Sequence, residues 1–129
     1  MSTDDDLTAA TRSVLYRYEH DLYNARDLTM IPELLANPMY RHDAGGKVTV
    51  MTNDECRDRI GGFFDDFATM IFRIVHQVVE GPVGSWTYEL TGTRNDGTIF
   101  VMSSIETFRV DDGKITHVWN AQHTTGPWA

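Results

Sequence analysis

The residues of this chain best placed to do chemistry are titratable groups that fall on apolar faces. In FRIVHQVVEG, residues 72–81, strand alternation puts Phe72, Ile74, His76 and Val78 on one face and Arg73, Val75, Gln77 and Val79 on the other. His76 thus shares the more apolar side. Along residues 7–25, Leu7, Ala10, Thr11, Val14, Tyr18, Leu22 and Ala25 recur at three- and four-residue steps, and on a wheel of about 100° per residue Asp21 falls inside that stripe. A buried, unpaired carboxylate either takes up a proton or costs several kcal/mol, so Asp21 needs a partner. Two arrangements meet that need. In one, Asp21 accepts hydrogen bonds near the helix end and His76 is an ordinary packing histidine. In the other, the two meet in a dry cavity. There the carboxylate fixes the imidazole tautomer and raises its basicity, making a general base near neutral pH. Tyr18, one turn before Asp21, would then donate to a developing oxyanion.

A second cluster is YRHDAGG, residues 40–46. Asp43 is a candidate second base and His42 a candidate second acid beside a Gly-Gly turn that lets backbone approach a ligand. A solvated turn with Asp43 bonded to backbone fits the same residues. On the last strand Ile115, His117, Trp119, Ala121 and His123 share one face by alternation. If that face is inward, Trp119 lines the cavity wall and His123 its mouth. If outward, both belong to the surface or a dimer interface. Glu106 shares a face with Phe100, Met102 and Phe108 and is a further, weaker buried-acid candidate, whose direction one bulge would reverse. Phe63, Phe67, Trp86 and Met102 are the apolar candidates for the wall around a substrate. The histidines show no HxH or HExxH spacing, and there is no phosphate loop, GxGxxG or GxSxG. The chemistry expected is proton transfer without metal or cofactor.

The elements that must position these groups follow from periodicity. Residues 7–25 form the first helix, and DLTMIPELLANP a shorter second one, with Pro32 in its first turn and Asn37-Pro38 as its stop. TNDE at 52–55 has the Thr-x-x-Glu pattern of a capping box and opens a third helix carrying Ile60, Phe63, Phe64 and Phe67. Gly61-Gly62 in its middle lowers helix propensity and permits close packing or a kink. After Met70 the chain turns to strand, with β-rich runs at 70–80, 83–94, 98–110 and 114–124 separated by GPVG, NDG and DDG. MYRHDAGGKVTV, between the second and third helices, supplies a short strand or a loop. Helices first and strands after argue for an α+β fold, a curved, mostly antiparallel sheet with three helices in its concavity. Such a cup encloses a small-molecule cavity.

Composition narrows the partners. The 129 residues suit a single domain over 1–129, with 1–6 expected as a disordered tail. The chain is 41% hydrophobic and 23% charged, with 11 Lys and Arg against 19 Asp and Glu and a net charge of −8. With no basic cluster, nucleic acid and anionic membrane are poor partners. No apolar run reaches the roughly 20 residues of a membrane-crossing helix. The acidic start is unlike a secretory leader, and a single cysteine, Cys56, leaves no internal disulfide, so a cytoplasmic location is expected.

Helix order, the YRHDAGG turn and the hairpin FRVDDGKITHVWN together resemble the nuclear transport factor 2-like superfamily, in its SnoaL-like branch of polyketide cyclase, scytalone dehydratase and ketosteroid isomerase relatives. The resemblance covers nearly the whole chain. It implies a cone-shaped α+β barrel with a deep pocket, a homodimer formed through the sheet, and a small hydrophobic cyclic ketone, polyketide or steroid-like substrate. Asp21 and His76 match the acid–histidine pair of the dehydratases. Asp43 matches the isomerase base, and the position of the cyclase acid, four residues after the last-strand Trp, is His123 here. The activity implied is a lyase or isomerase working by acid–base proton transfer; the alternative is a non-catalytic binding or assembly module of the same fold.

Overall fold

In the computed structural model, which describes residues 3–128, three helices precede and interrupt a seven-stranded sheet. α1 spans Thr3–Arg17 and runs without a break into a π-helical turn, Tyr18–Asn24. Met1 and Ser2 of the expected tail lie outside the described residues, but from Thr3 onward the chain is already helical. Asp4, Asp5 and Asp6 occupy the first turn, where negative charge complements the positive end of the helix dipole. A 3₁₀ turn, Leu28–Met30, leads into the four-residue α2, Ile31–Leu34, with Pro32 in its opening turn. α3 spans Asn53–Asp65.

The strands are β1 Leu35–Asp43, β2 Val48–Met51, β3 Phe67–Glu80, β4 Val83–Arg94, β5 Ile99–Asp111, β6 Lys114–Asn120 and the short β7 Thr124–Thr125. Their order is β2-β1-β6-β5-β4-β3, with β7 alongside β5. β1 runs parallel to β6, and the other pairs are antiparallel. MYRHDAGGKVTV is therefore a strand–turn–strand hairpin, β1 to β2. The DDG turn joins β5 to β6 in two residues, Asp112 at φ 51° and Gly113 at φ 78°, both left-handed as a tight primed hairpin requires.

Local chemistry accounts for the elements. The capping box is fully formed: Thr52 Oγ1 accepts from the Glu55 amide at 3.2 Å, and Glu55 Oε1 accepts from the Thr52 amide at 3.1 Å. Thr52→Ala should cost about 1 kcal/mol, read as a lower urea midpoint at unchanged slope. Gly61 lets α3 approach the 3₁₀ turn, since a Cβ there would stand 3.2 Å from Leu28 Cδ1. Gly92 on β4 is tighter still: the Phe67 ring occupies the place of its side chain, 2.5 Å from where a Cβ would sit. α1 is tied to the β3–β4 turn by reciprocal bonds, Thr11 Oγ1 to the Gly81 carbonyl and the Gly81 amide to Thr8 Oγ1, each 2.8 Å. Leu15, Leu22, Leu34, Leu90, Phe108, Ile115 and Val118 fill the space between helices and sheet.

Two of the sheet's irregularities decide where the candidate side chains point. In β3, Ile74 pairs with Tyr88 and His76 with Thr87, so Val75 is an extra residue and alternation reverses across it. Phe72 and Ile74 face the core before the bulge, and Val79 after it. His76 and Val78 are turned outward and exposed. A second bulge falls at Thr116, between the pairs Val110–Ile115 and Arg109–His117. Beyond it Val118 is buried, while Trp119 is 41% exposed on the outer face.

Candidate active site

A cavity of about 760 Å³ opens between the C-terminal ends of β1 and β6, α3 and the middle of the sheet. Its floor carries Glu106 of β5, with Asn120 of β6 and Arg41 of β1 beside it and Tyr23 and Tyr88 on the walls. Arg41, Tyr88, Glu106 and Asn120 converge because they belong to the inward set of adjacent strands. Glu106 pairs across the ladder with Trp86 on one side and Asn120 on the other.

The carboxyl of Glu106 is held from both ends. Trp86 Nε1 donates to Oε1 at 3.3 Å. The Asn120 amide, oriented so that each end meets its complement, donates to Oε2 at 2.8 Å and accepts from the Arg41 guanidinium, 3.0 Å from Nη1 and 3.2 Å from Nε. Arg41 also lies 3.6 Å from Asp43 at the cavity edge. Burial pushes the Glu106 carboxyl up to about 7, against smaller downward pulls from the Trp86 hydrogen bond and the Arg41 and Arg59 guanidiniums. At neutral pH this group is divided between acid and base, as a proton-transfer catalyst requires.

The tyrosines are held neutral. Burial raises Tyr23 to about 12, and burial likewise raises Tyr88 and Tyr18, with the Glu106 charge adding to all three. The Tyr23 hydroxyl is 3.5 Å from that of Tyr18. Tyr18 itself packs behind Tyr23, edge-on to Phe108 and stacked on Trp86. The π-helical turn explains why Tyr23 reaches the cavity. A bond from residue i to i+5 widens the turn, stacks residue 23 over residue 18, and carries Asp21 away from the core face. Asn24 then pins the turn to the edge strand, its amide bonding both the Phe72 carbonyl (2.9 Å) and the Phe72 N–H (2.8 Å).

The expected Asp21–His76 pair does not form. Asp21 lies on the outer side of the π-helical turn, 2.9 Å from His20 Nδ1 and 3.7 Å from Arg17, with its side chain 38% exposed. His76 is displaced to the outer face by the β3 bulge. Asp21→Asn and His76→Ala should each change the unfolding free energy by no more than about 0.5 kcal/mol and leave ligand binding in the cavity intact. A loss of binding in either variant would return the pair to the site.

The other candidates divide. Asp43, Phe63, Met102 and His123 line the cavity, Asp43 and His123 near its mouth. Trp86 is buried behind Glu106, and Phe67 is buried against Phe63 and Phe100, so neither forms the wall. His42 and Trp119 lie on the opposite face of the sheet. His42 Nε2 meets His117 Nδ1 at 2.9 Å there, and the Trp119 and Tyr40 rings stack on this pair. Sequence reasoning misses Arg41, Asn120 and Tyr23. For Arg41 a signal exists in the strand alternation of YRHDAGG: if His42 faces out, Arg41 and Asp43 face in.

A curved, unclosed, mostly antiparallel sheet with three helices in its concavity, and a cavity reached from one end, is the cone of the nuclear transport factor 2-like fold. The chain belongs to the SnoaL-like domain family, whose pattern matches residues 16–118. Solved structures agree on the fold. A protein from Acidithiobacillus ferrooxidans assigned as a polyketide cyclase is 16% identical, with 97% of this chain and 91% of that one covered and a TM-score of 0.76. One from Kribbella flavida assigned as a ketosteroid isomerase is 17% identical over 99% and 87%, TM-score 0.73. An LEH-like epoxide hydrolase of M. tuberculosis is 11% identical over 88% and 83%, TM-score 0.73. No curated protein matches the sequence. No helix among the described residues is long and apolar enough to cross a membrane.

Proposed function

We propose that the protein is an acid–base catalyst of the isomerase, dehydratase or cyclase type, acting on a small, largely apolar ketone. The observation that carries this is Glu106, a carboxyl on the cavity floor that burial pushes up to about 7. The names ketosteroid isomerase and polyketide cyclase among the fold relatives are consistent with a ketone substrate.

In this scheme ionised Glu106 removes a proton from the carbon α to the carbonyl. The C–H electron pair becomes the enolate double bond, and negative charge collects on oxygen. Tyr23, neutral at working pH, donates its hydroxyl hydrogen bond to that oxygen. Protonated Glu106 then returns the proton to the same carbon or to a conjugated one, giving isomerisation, or gives it to a β-hydroxyl that leaves as water while the enolate electrons form the C=C bond and re-form the carbonyl, giving dehydration. Asn120, locked by Arg41, keeps its N–H aimed at Oε2 and so holds the carboxylate in one orientation. Phe63, Phe72, Leu90 and Met102 supply the apolar surface for the carbon skeleton.

The test works whichever product forms. Bicyclic and steroid ketones are incubated with the protein in D2O, and α-hydrogen exchange is followed by proton NMR. Exchange that is catalysed by wild type and absent with Glu106→Gln supports the proposal. Binding of a ketone without any exchange favours the alternative, a non-catalytic small-molecule-binding module.

A further inference from the structure

The cavity contains a second guanidinium that the proton transfer does not use. Arg59, on α3, lines the cavity together with Ile60 and Phe63 of the same helix face. Among the described residues it makes no ion pair and no hydrogen bond. Its obvious helical partner, Glu55, four residues earlier, is committed to the capping box with Thr52. Asp66, on the same wall, is two helical turns away and is not paired with it. Asp43, at the edge, is engaged by Arg41.

Arg41 and Arg59 therefore differ in kind. The first spends its donors on Asn120 and Asp43 and acts as part of the scaffold. The second presents a planar fork of donors to the cavity with no protein acceptor among the described residues. Its charge also reaches the interior, lowering both Glu106 and Tyr23. The acidic groups of the lining do not cancel it: Asp43 is held by Arg41, Glu106 by Trp86 and Asn120, and Asp66 is not paired with Arg59, so Arg59 is the guanidinium left to meet a ligand's negative charge.

Building on the proton-transfer reading, we infer that the substrate is an anionic ketone, an apolar ring system bearing a carboxylate that Arg59 binds at the cavity wall while the α-carbon lies over Glu106. Guanidinium and carboxylate match as paired forks, so this contact would fix the orientation of the ligand as well as its affinity. Neutralising Arg59 on binding would also remove one of the influences that lower Glu106, making that carboxylate a stronger base in the complex than in the free protein.

The test compares 1-tetralone-6-carboxylate with its methyl ester by isothermal titration calorimetry, on wild type, Arg59→Met, Arg59→Lys and Glu106→Gln. Arg59 is exposed and unpaired, so its variants should fold as wild type does, checked by circular dichroism. Wild type should bind the carboxylate about tenfold more tightly than the ester, a preference of one charge-assisted hydrogen bond. Arg59→Met should lose the preference while keeping its affinity for the ester, Arg59→Lys should keep part of it, and high salt should shrink it. Glu106→Gln should retain it, which separates failure of the anchor from failure of the base. Equal binding of acid and ester by wild type, a preference that survives in Arg59→Met, or no binding of the carboxylate at millimolar concentration would each overturn the inference.

Discussion

Glu106→Gln should lower α-proton exchange on any ketone the cavity accepts by about 10²–10⁴-fold, the usual worth of a positioned general base. Glutamine keeps the length of the side chain and an oxygen for the Trp86 indole, but it takes up no proton. The same substitution should change how stability depends on pH. The folded carboxyl titrates at about 7 and the unfolded one near its ordinary 4.5. Below pH 4.5 the group is protonated in both states and costs nothing. Between 4.5 and 7 the unfolded chain releases its proton while the folded chain retains it, so stability falls as pH rises and levels off above 7. Wild type should lose up to about 3 kcal/mol relative to Glu106→Gln across that window, measured by urea unfolding at pH 4.5, 6 and 8. Parallel pH curves for the two proteins would show that Glu106 titrates as an ordinary surface carboxyl.

Tyr23→Phe is expected to have the next largest effect. It removes one hydroxyl from the cavity wall and leaves the ring, which packs against Phe64 and Phe72. If that hydroxyl serves the developing oxyanion, kcat should fall by about 10²–10³ with KM nearly unchanged, because the bond strengthens only as charge develops. Stability should change little, since the hydroxyl's one partner among the described residues, Tyr18, is at the long distance of 3.5 Å. A matched fall in kcat and rise in KM would instead assign Tyr23 to ground-state binding. Tyr18→Phe, one ring further from the cavity, should have a much smaller effect.

The architecture is legible in the sequence because it rests on patterns that recur along the chain. The capping box at Thr52, the DDG turn and the four long β-rich runs each specify a local geometry, and in all three the structure follows the sequence. The active-site candidates are harder to place, for two identifiable reasons. A wheel at 100° per residue presumes an α-helix, and the change to i→i+5 bonding at Tyr18–Asn24 rotates Asp21 outward and brings Tyr23 inward. Strand parity presumes regular pairing, and the extra residue at Val75 moves His76 to the outer face. Both defects are set by tertiary contacts, Asn24 to the β3 backbone among them, which no local period encodes.

Glu106 shows the opposite case. Its strand has no bulge between Phe100 and Phe108, so simple alternation with Phe100, Met102 and Phe108 gives its direction, and β4 pairs with β5 in unbroken register from Val83 to Thr93. What the pattern lacks is the environment: Trp86 and Asn120 lie on the neighbouring strands, 20 and 14 residues away, and only the sheet order brings them to the two carboxylate oxygens. His42 and Trp119 show the same dependence, since strand direction makes them partners on one face and the Thr116 bulge sets that face outward.

Catalysis by Glu106 requires that it gain and lose its proton near neutral pH. This titration can be read directly by carbon NMR on protein labelled at the glutamate side-chain carboxyl, with Glu106→Gln identifying the resonance. One carboxyl should titrate with a midpoint at about 7, well separated from the surface glutamates. A midpoint for Glu106 at the ordinary value near 4.5 would contradict this, and would leave the cavity without its base.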